Sequence, residues 1–151
     1  MKIANVVPIH KKSHKDNVEN YRPISLTSLV MKIFEKCIRE KLFDLCNYKL
    51  TPYQHGFRPE RSCTTQMVDY ITQLSFNLNN KLQTDIVYFD LSKAFDSVNH
   101  DVILEKLKYT FHIDGLLLNF FINYLKDRQQ CVTVDNQFSS FTVVKSGVPQ
   151  G

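Results

Sequence analysis

A chain of 151 residues, 43% of them apolar, with 11 Phe and 7 Tyr, suits one ordinary domain with an aromatic core. Its 4 Gly, 5 Pro and mixed charges exclude a disordered or low-complexity polymer. The net charge of +4 is unevenly spread: residues 1–61 hold 12 Lys/Arg against 6 Asp/Glu, and residues 62–151 hold 7 against 9. A basic phosphate-binding half beside an acidic metal-binding half explains that asymmetry, and so does a solvated surface with chance clustering. Cys37, Cys46, Cys63 and Cys131 form no CxxC pair and match neither a zinc site nor a small disulfide framework. Reduced thiols in an intracellular protein are the simplest account. Polar residues interrupt the N-terminus, so no secretory signal is read there. The most apolar run, GLLLNFFINYL at 115–125, is too short to span a bilayer.

In chain order, IANVVPI at 3–9 predicts a strand, followed by the basic loop HKKSHKDN at 10–17. Leu26, Leu29, Val30, Ile33, Phe34, Cys37, Ile38 and Leu42 recur at spacings of three and four. They predict a helix over 27–43, capped by Thr27 or Ser28, with Cys37 in the core. TPYQHGFRPER at 51–61 reads as a loop from its two prolines and glycine. A second helix is expected over 62–79 with Val68, Ile71, Leu74 and Leu78 inward, then a short buried strand at 86–89. Helices over 100–111 and 116–126 follow, separated by Asp114–Gly115. QCVTV at 130–134 and FTVV at 141–144 alternate as a hairpin around Asp135–Asn136. Helices and strands without sustained βαβ alternation predict an α+β fold. No GxGxxG or GxxxxGK[ST] is present, which counts against a Rossmann domain or a P-loop enzyme.

The most informative stretch is IVYFDLSKAFDSVNHD, residues 86–101. Asp90 ends the predicted strand next to a chain reversal, a natural place to hold Mg²⁺ against a phosphate. Taken alone, the same pattern is better read as a turn aspartate. Asp96 reads as a cap or lead-in for the helix starting near His100, and Asp85 and Asp101 as surface or capping carboxylates. Pro23 forces Arg22 into an extended conformation, which aims a guanidinium suited to bidentate phosphate contact. Gly56 permits a tight turn in GFRPERS, and His55 reads as loop packing. His10 and His14 lie in a polar loop, which makes a histidine metal site improbable.

Four motifs occur in order: NYRPISLTS at 20–28, QHGFRPERSC at 54–63, the Asp90 stretch, and SGVPQG at 146–151. Together they resemble the reverse transcriptase domain of non-LTR retrotransposons, close to the Jockey-like LINE elements, along nearly the whole chain. The resemblance implies the fingers and part of the palm of a right-hand polymerase. Residues 1–84 would be fingers, 85–111 the first palm segment, 112–145 a helix and hairpin joining the two, and 146–151 the start of the second palm motif. It implies template-directed addition of deoxynucleotides by two-metal phosphoryl transfer. The cofactor would be Mg²⁺, and the partners an RNA template, a DNA primer and deoxynucleoside triphosphates, with no membrane and no disulfide-linked partner.

Residue by residue, the resemblance makes Asp90 the catalytic metal ligand, assisted by the Leu91 carbonyl. Phe95 becomes the ring under the incoming sugar that excludes a 2′-hydroxyl. Arg22 would reach the triphosphate, with Lys11, Lys12 or Lys15 as a second phosphate contact. Arg58 and Arg61 would meet nucleic-acid backbone, although Arg58 as a brace for its own loop is nearly as good a reading. Gly147, Pro149, Gln150 and Gly151 would face the nascent base pair, with Gln150 bonding the nucleotide or template backbone. The family's second aspartate motif, Tyr/Phe-Ala-Asp-Asp, falls downstream of Gly151, so these residues alone are expected not to extend a primer. The alternative is a non-catalytic nucleic-acid-binding remnant. Palm strands absent from the chain would leave 86–89 with an unpaired edge and an uncovered face and helix 27–43 partly exposed, with low solubility as the result. A nuclear location with a cytoplasmic ribonucleoprotein stage goes with the resemblance.

Overall fold

The computed structural model describes residues 2–11 and 14–150. It divides into two compact units, residues 1–45 with 92–151, and residues 46–91. Helices and strands mix as an α+β chain. The larger unit is built on a five-stranded sheet. β1 (Ile3–His10), rich in Val and Ile, runs antiparallel to β2 (Tyr21–Leu26) from Asn5↔Leu26 to His10↔Tyr21. Pro8 faces Pro23 in that register, so both missing N–H donors fall on one rung of the ladder. The other edge of β1 pairs in parallel with β3 (Gln129–Val134).

The chain reverses after β3 at Asp135 and Asn136, with φ of 48° and 61°. Two positive φ values suit a two-residue hairpin turn, and Asp and Asn tolerate them better than most residues. The return strand is β4 (Gln137–Phe138), and β5 (Thr142–Val143) pairs with the start of β3. The expected hairpin therefore forms, but its return is split. Ser139 is the break: its N–H donates to the Val132 carbonyl, and its Oγ accepts from Val132 N–H. Ala4, Val6 and Cys131 are buried on the sheet, where Cys131 Sγ donates to Asn5 Oδ1 at 3.1 Å.

α1 (Leu29–Cys46) starts where Ser28 Oγ accepts the Met31 N–H at 3.2 Å. Downstream, α2 (Cys63–Asn79) lies in the smaller unit, and α3 (His100–Glu105) and α4 (Gly115–Leu125) in the larger. α3 widens into a π turn at Lys106–Thr110, and Ile113 N–H closes back on the Leu107 carbonyl at 2.9 Å. Leu107, Ile113 and Leu125 are buried. Helix α4 meets α1 through the edge-on pair Phe34–Phe120, centroids 5.2 Å apart. Tyr124 Oη donates to Glu35 Oε1 at 2.6 Å. Arg128, only 5% exposed, lies over the Tyr124 ring at 4.8 Å, where the negative π face attracts its charge.

In the smaller unit, Ser62 and Thr65 form a reciprocal capping box that starts α2. The structure corrects three packing expectations. Residues 86–89 form no strand; no described strand pairs with them, and Phe89 is 92% exposed. A β-prone segment without a ladder partner leaves its backbone to water, so propensity alone does not make it a strand. Cys37 is exposed rather than core, and Val68, Ile71 and Leu78 of α2 are exposed rather than inward. A periodic stripe marks the face able to be buried; burial also requires an opposing surface.

Burial, together with the hydrogen bond to Glu35, pushes the Tyr124 hydroxyl up to about 12. Folding therefore favours its neutral form. The stability this contributes is complete below the ordinary tyrosine value of about 10 and is lost as pH rises through about 12. Tyr124→Phe is expected to lower stability by about 1 kcal/mol at neutral pH. It should also flatten the alkaline loss, as read by urea unfolding across that pH window. An equally steep alkaline limb in the variant would remove Tyr124 as its source.

Candidate functional site

The loop at 146–150 is held by groups from two distant stretches of the larger unit. Residues 92–97 form consecutive turns, opened by Lys93 at φ 52°, in which Asp96 and Ser97 N–H both donate to the Lys93 carbonyl. Asn99 follows as the cap of α3, its Oδ1 accepting from Asp101 and Val102 N–H. Asp96 is thus not the helix cap that its sequence position suggests. A side chain three or more residues ahead of the first helical turn is out of reach of its free N–H groups, whereas Asn99 immediately precedes them.

Asp96 instead anchors the loop. Ser146 Oγ donates to its main-chain carbonyl at 3.1 Å, and Gln150 Nε2 donates to its Oδ1 at 3.2 Å. Between these, Gly147 N–H donates to the Val98 carbonyl at 2.8 Å and Val148 N–H to the Phe95 carbonyl at 3.0 Å. His100 Nε2 lies 2.8 Å from the Gly147 carbonyl, a geometry that requires the ring proton on Nε2. Gly147 is buried at φ +86°, and a Cβ there would lie 2.8 Å from the Asp96 carbonyl oxygen. Glycine is required twice over, by conformation and by clearance. At the far end of the loop, Ser25 N–H of β2 donates to the Gln150 carbonyl at 2.6 Å. Pro149 is half-buried between these anchors. Three of the four sequence motifs therefore meet here.

Arg22 is exposed on β2, three residues from Ser25 and opposite Ile9. Lys11 and Lys15 are exposed in the preceding loop, which Tyr21 Oη closes by donating to the Lys15 carbonyl at 3.0 Å. Lys12 and Gly151 lie outside the described residues. Phe95 is 45% exposed, with its backbone registered to the loop through Val148. Sequence reasoning missed His100, whose contact with Gly147 spans 47 positions and leaves no local signal.

Asp90 and Leu91 belong to the smaller unit, and both are exposed. Their segment is tied to α2 by the Tyr88–Tyr70 hydroxyl pair at 2.7 Å. Arg58 spends its guanidinium on the Thr51 carbonyl and Asn47 Oδ1, both at 2.8 Å, and so braces its own loop. Arg61 Nη1 lies 3.4 Å from His55 Nε2. His55 is buried and is the hub of this loop: Nδ1 is 2.8 Å from Thr65 Oγ1, and Nε2 is 3.2 Å from Asp69 Oδ2. An open cleft of about 460 Å³ adjoins it, walled by Tyr53, Gln66, Asp69 and Tyr70 among others. Among the described residues, no group of three or more His, Cys, Asp or Glu side chains is placed to hold a metal ion. Asp90 offers one carboxylate, so the described donor set does not fit a complete metal centre.

Gly147→Ala is expected to cost about 1–3 kcal/mol through positive-φ strain and collision with the Asp96 backbone. Hydrogen exchange at the Val148 amide should rise with it, because that bond to Phe95 lies in the same clasp. Unchanged stability and protection would show that the loop is held some other way.

Comparison with known proteins adds the context for this geometry. Residues 9–151 match the family described as reverse transcriptase (RNA-dependent DNA polymerase). The chain is 34% identical to the probable RNA-directed DNA polymerase from transposon BS of Drosophila melanogaster, over 99% of this chain and 17% of that protein. It is 31% identical to the RNA-directed DNA polymerase from mobile element jockey of the same species, over 99% of this chain and 16% of that one. It is 24% identical to the retrovirus-related Pol polyprotein from type-1 retrotransposable element R2 of Popillia japonica, over 95% and 20%. The chain thus spans about a sixth of the length of the first two relatives. A family match along nearly the whole chain makes this chain a member of the reverse transcriptase family.

Proposed function

We propose that this chain supplies the nucleotide-facing part of an RNA-directed DNA polymerase, with fingers at about 1–84 and the palm beginning at about 85. The observation that carries the proposal is the meeting of NYRPIS, AFDSVNH and SGVPQG at one loop, far apart in sequence and joined by short hydrogen bonds. A nucleotide laid along that loop would find Gln150 beside it and the Phe95 ring on the adjoining turn. Arg22 projects from the strand that Ser25 ties to the loop. In this role Phe95 excludes a 2′-hydroxyl by bulk, and Arg22 takes triphosphate oxygens. Gly147 lets the backbone lie close, and Pro149 stiffens the approach.

Lys11, Lys12, Lys15 and Arg61 serve backbone phosphate of an RNA template and DNA primer, with Arg58 stiffening the loop that presents Arg61. Asp90, with the Leu91 carbonyl, would contribute one carboxylate to a divalent ion, Mg²⁺ in this reading. Among the described residues no group of three or more His, Cys, Asp or Glu side chains gathers to complete such a centre. The substrates are deoxynucleoside triphosphates, and a nuclear site of action with a cytoplasmic ribonucleoprotein stage follows from the same reading. No helix among the described residues is long and apolar enough to cross a membrane.

The chain should bind an RNA–DNA hybrid weakly. Affinity should fall about 10- to 40-fold between about 50 and about 200 mM salt, for two to three phosphate contacts. Fluorescence anisotropy of a labelled hybrid measures this, and salt-independent binding would overturn the phosphate reading. Arg22→Ala should weaken binding of deoxynucleoside triphosphate about fivefold. With one carboxylate of a metal site present, the 151 residues should not extend a primer with Mg²⁺ and deoxynucleotides. Template-dependent extension lost in Asp90→Asn would show that this chain completes the site by itself. In a polymerase containing this domain, Phe95→Val should admit ribonucleotides; unchanged sugar discrimination would place the gate elsewhere.

A further inference from the structure

Gln150 is held at both its main chain and its side chain. Its carbonyl accepts Ser25 N–H at 2.6 Å, and its Nε2 lies 3.2 Å from Asp96 Oδ1. The two ends of a side-chain amide are nearly alike in shape and opposite in hydrogen-bond character, so the neighbour decides which end faces it. An ionised carboxylate has no proton to give and only accepts. Beside Asp96, the amide must turn its nitrogen inward. Asp96 is itself half-buried, with its backbone fixed by Ser146 Oγ at 3.1 Å and by the close approach of Gly147. Gln150 Oε1 is thereby turned away from Asp96, and no hydrogen bond among the described residues engages it.

We propose that Asp96 is a positioning residue that orients the Gln150 amide so that the loop presents an acceptor oxygen. Gln150 then presents its oxygen to a group on the nucleotide that carries a hydrogen-bond donor, a sugar hydroxyl or a base N–H, which a bare phosphate oxygen lacks. This rests on the reading of the loop as nucleotide-facing. It assigns Asp96 a role through Gln150, distinct from capping a helix or binding a metal. The isosteric Asp96→Asn change removes the constraint, because an asparagine presents a donor as readily as an acceptor and lets the Gln150 amide turn over.

The test uses the ¹⁵N-labelled 151-residue chain and follows the Gln150 side-chain amide by NMR. The native chain, Asp96→Asn, Asp96→Leu and Gln150→Met are each titrated with dATP, 2′,3′-dideoxy-ATP and inorganic tripolyphosphate. In the native chain one Gln150 amide proton should be displaced downfield by the carboxylate, and that displacement should vanish in both Asp96 variants. Affinity for dATP should fall about fivefold in Asp96→Asn while that for tripolyphosphate holds. A dideoxy analogue that binds as well as dATP identifies the donor as base N–H; a weaker one identifies a sugar hydroxyl. Identical Gln150 amide signals in the native and Asp96 variants overturn the orientation, even if Asp96→Leu fails to fold, since Asp96→Asn keeps the shape. Loss of dATP affinity in Gln150→Met without any loss in Asp96→Asn overturns the positioning role. Full dATP affinity in Gln150→Met overturns the nucleotide-facing reading instead, and the amide displacement still reports the orientation separately.

Discussion

The larger unit depends on one close approach. At Gly147 the chain passes the Asp96 backbone so tightly that a single added carbon would stand 2.8 Å from its carbonyl oxygen. Everything at the candidate site is arranged around that passage. With a glycine at positive φ, the 146–150 loop can lie along the 95–98 turn and exchange backbone hydrogen bonds with Phe95 and Val98. A bulkier residue would lift the loop and release the Gln150 amide, the Ser146 hydroxyl and the His100 contact together. Such coupled bonds act as one unit, since each is short only while the others hold the backbone in place.

The surrounding fold serves as the scaffold for this clasp. Ser25 on β2 receives the end of the loop, and β2 is registered against β1 through a full antiparallel ladder. β1 is in turn joined to β3 by parallel pairing, with Ala4, Val6 and Cys131 buried along that seam. The aromatic cluster of Phe34, Phe120 and Tyr124 fixes α4 on α1, and Arg128 seals it. The smaller unit is held mainly by polar links, with His55, Thr65, Asp69 and Arg58 bracing one loop and Tyr70–Tyr88 tethering the segment before Asp90. Its apolar side chains are largely exposed, which leaves directional bonds to define local geometry.

Much of this was legible in the residues. Apolar spacing located α1, α2 and α4 to within a few residues, because a helix repeats its inward face every three or four positions. Asp135–Asn136 marked the hairpin, since few other pairs accept two positive φ values. The four motifs in order identified the family, and Pro23 correctly implied extended backbone at Arg22, although not that the whole stretch joins β1 as an edge strand. The strand expected at 86–89, the burial of Cys37 and the inward face of α2 were misread for one shared reason. Local pattern reports what a segment is able to bury or pair, and says nothing about whether a partner surface is in place.

What the sequence determined by itself was therefore local and chemical: where helices begin, where the chain must turn, which side chains carry charge, and which ordered motifs define a reverse transcriptase. Tertiary structure decided which groups meet. Asp96 and Gln150 stand 54 positions apart, and His100 and Gly147 stand 47 apart. No periodicity or propensity couples residues over such distances. Their pairing follows from the folded path of the chain, where a carboxylate takes the nearest amide donor and a glycine alone leaves room for the backbone to pass.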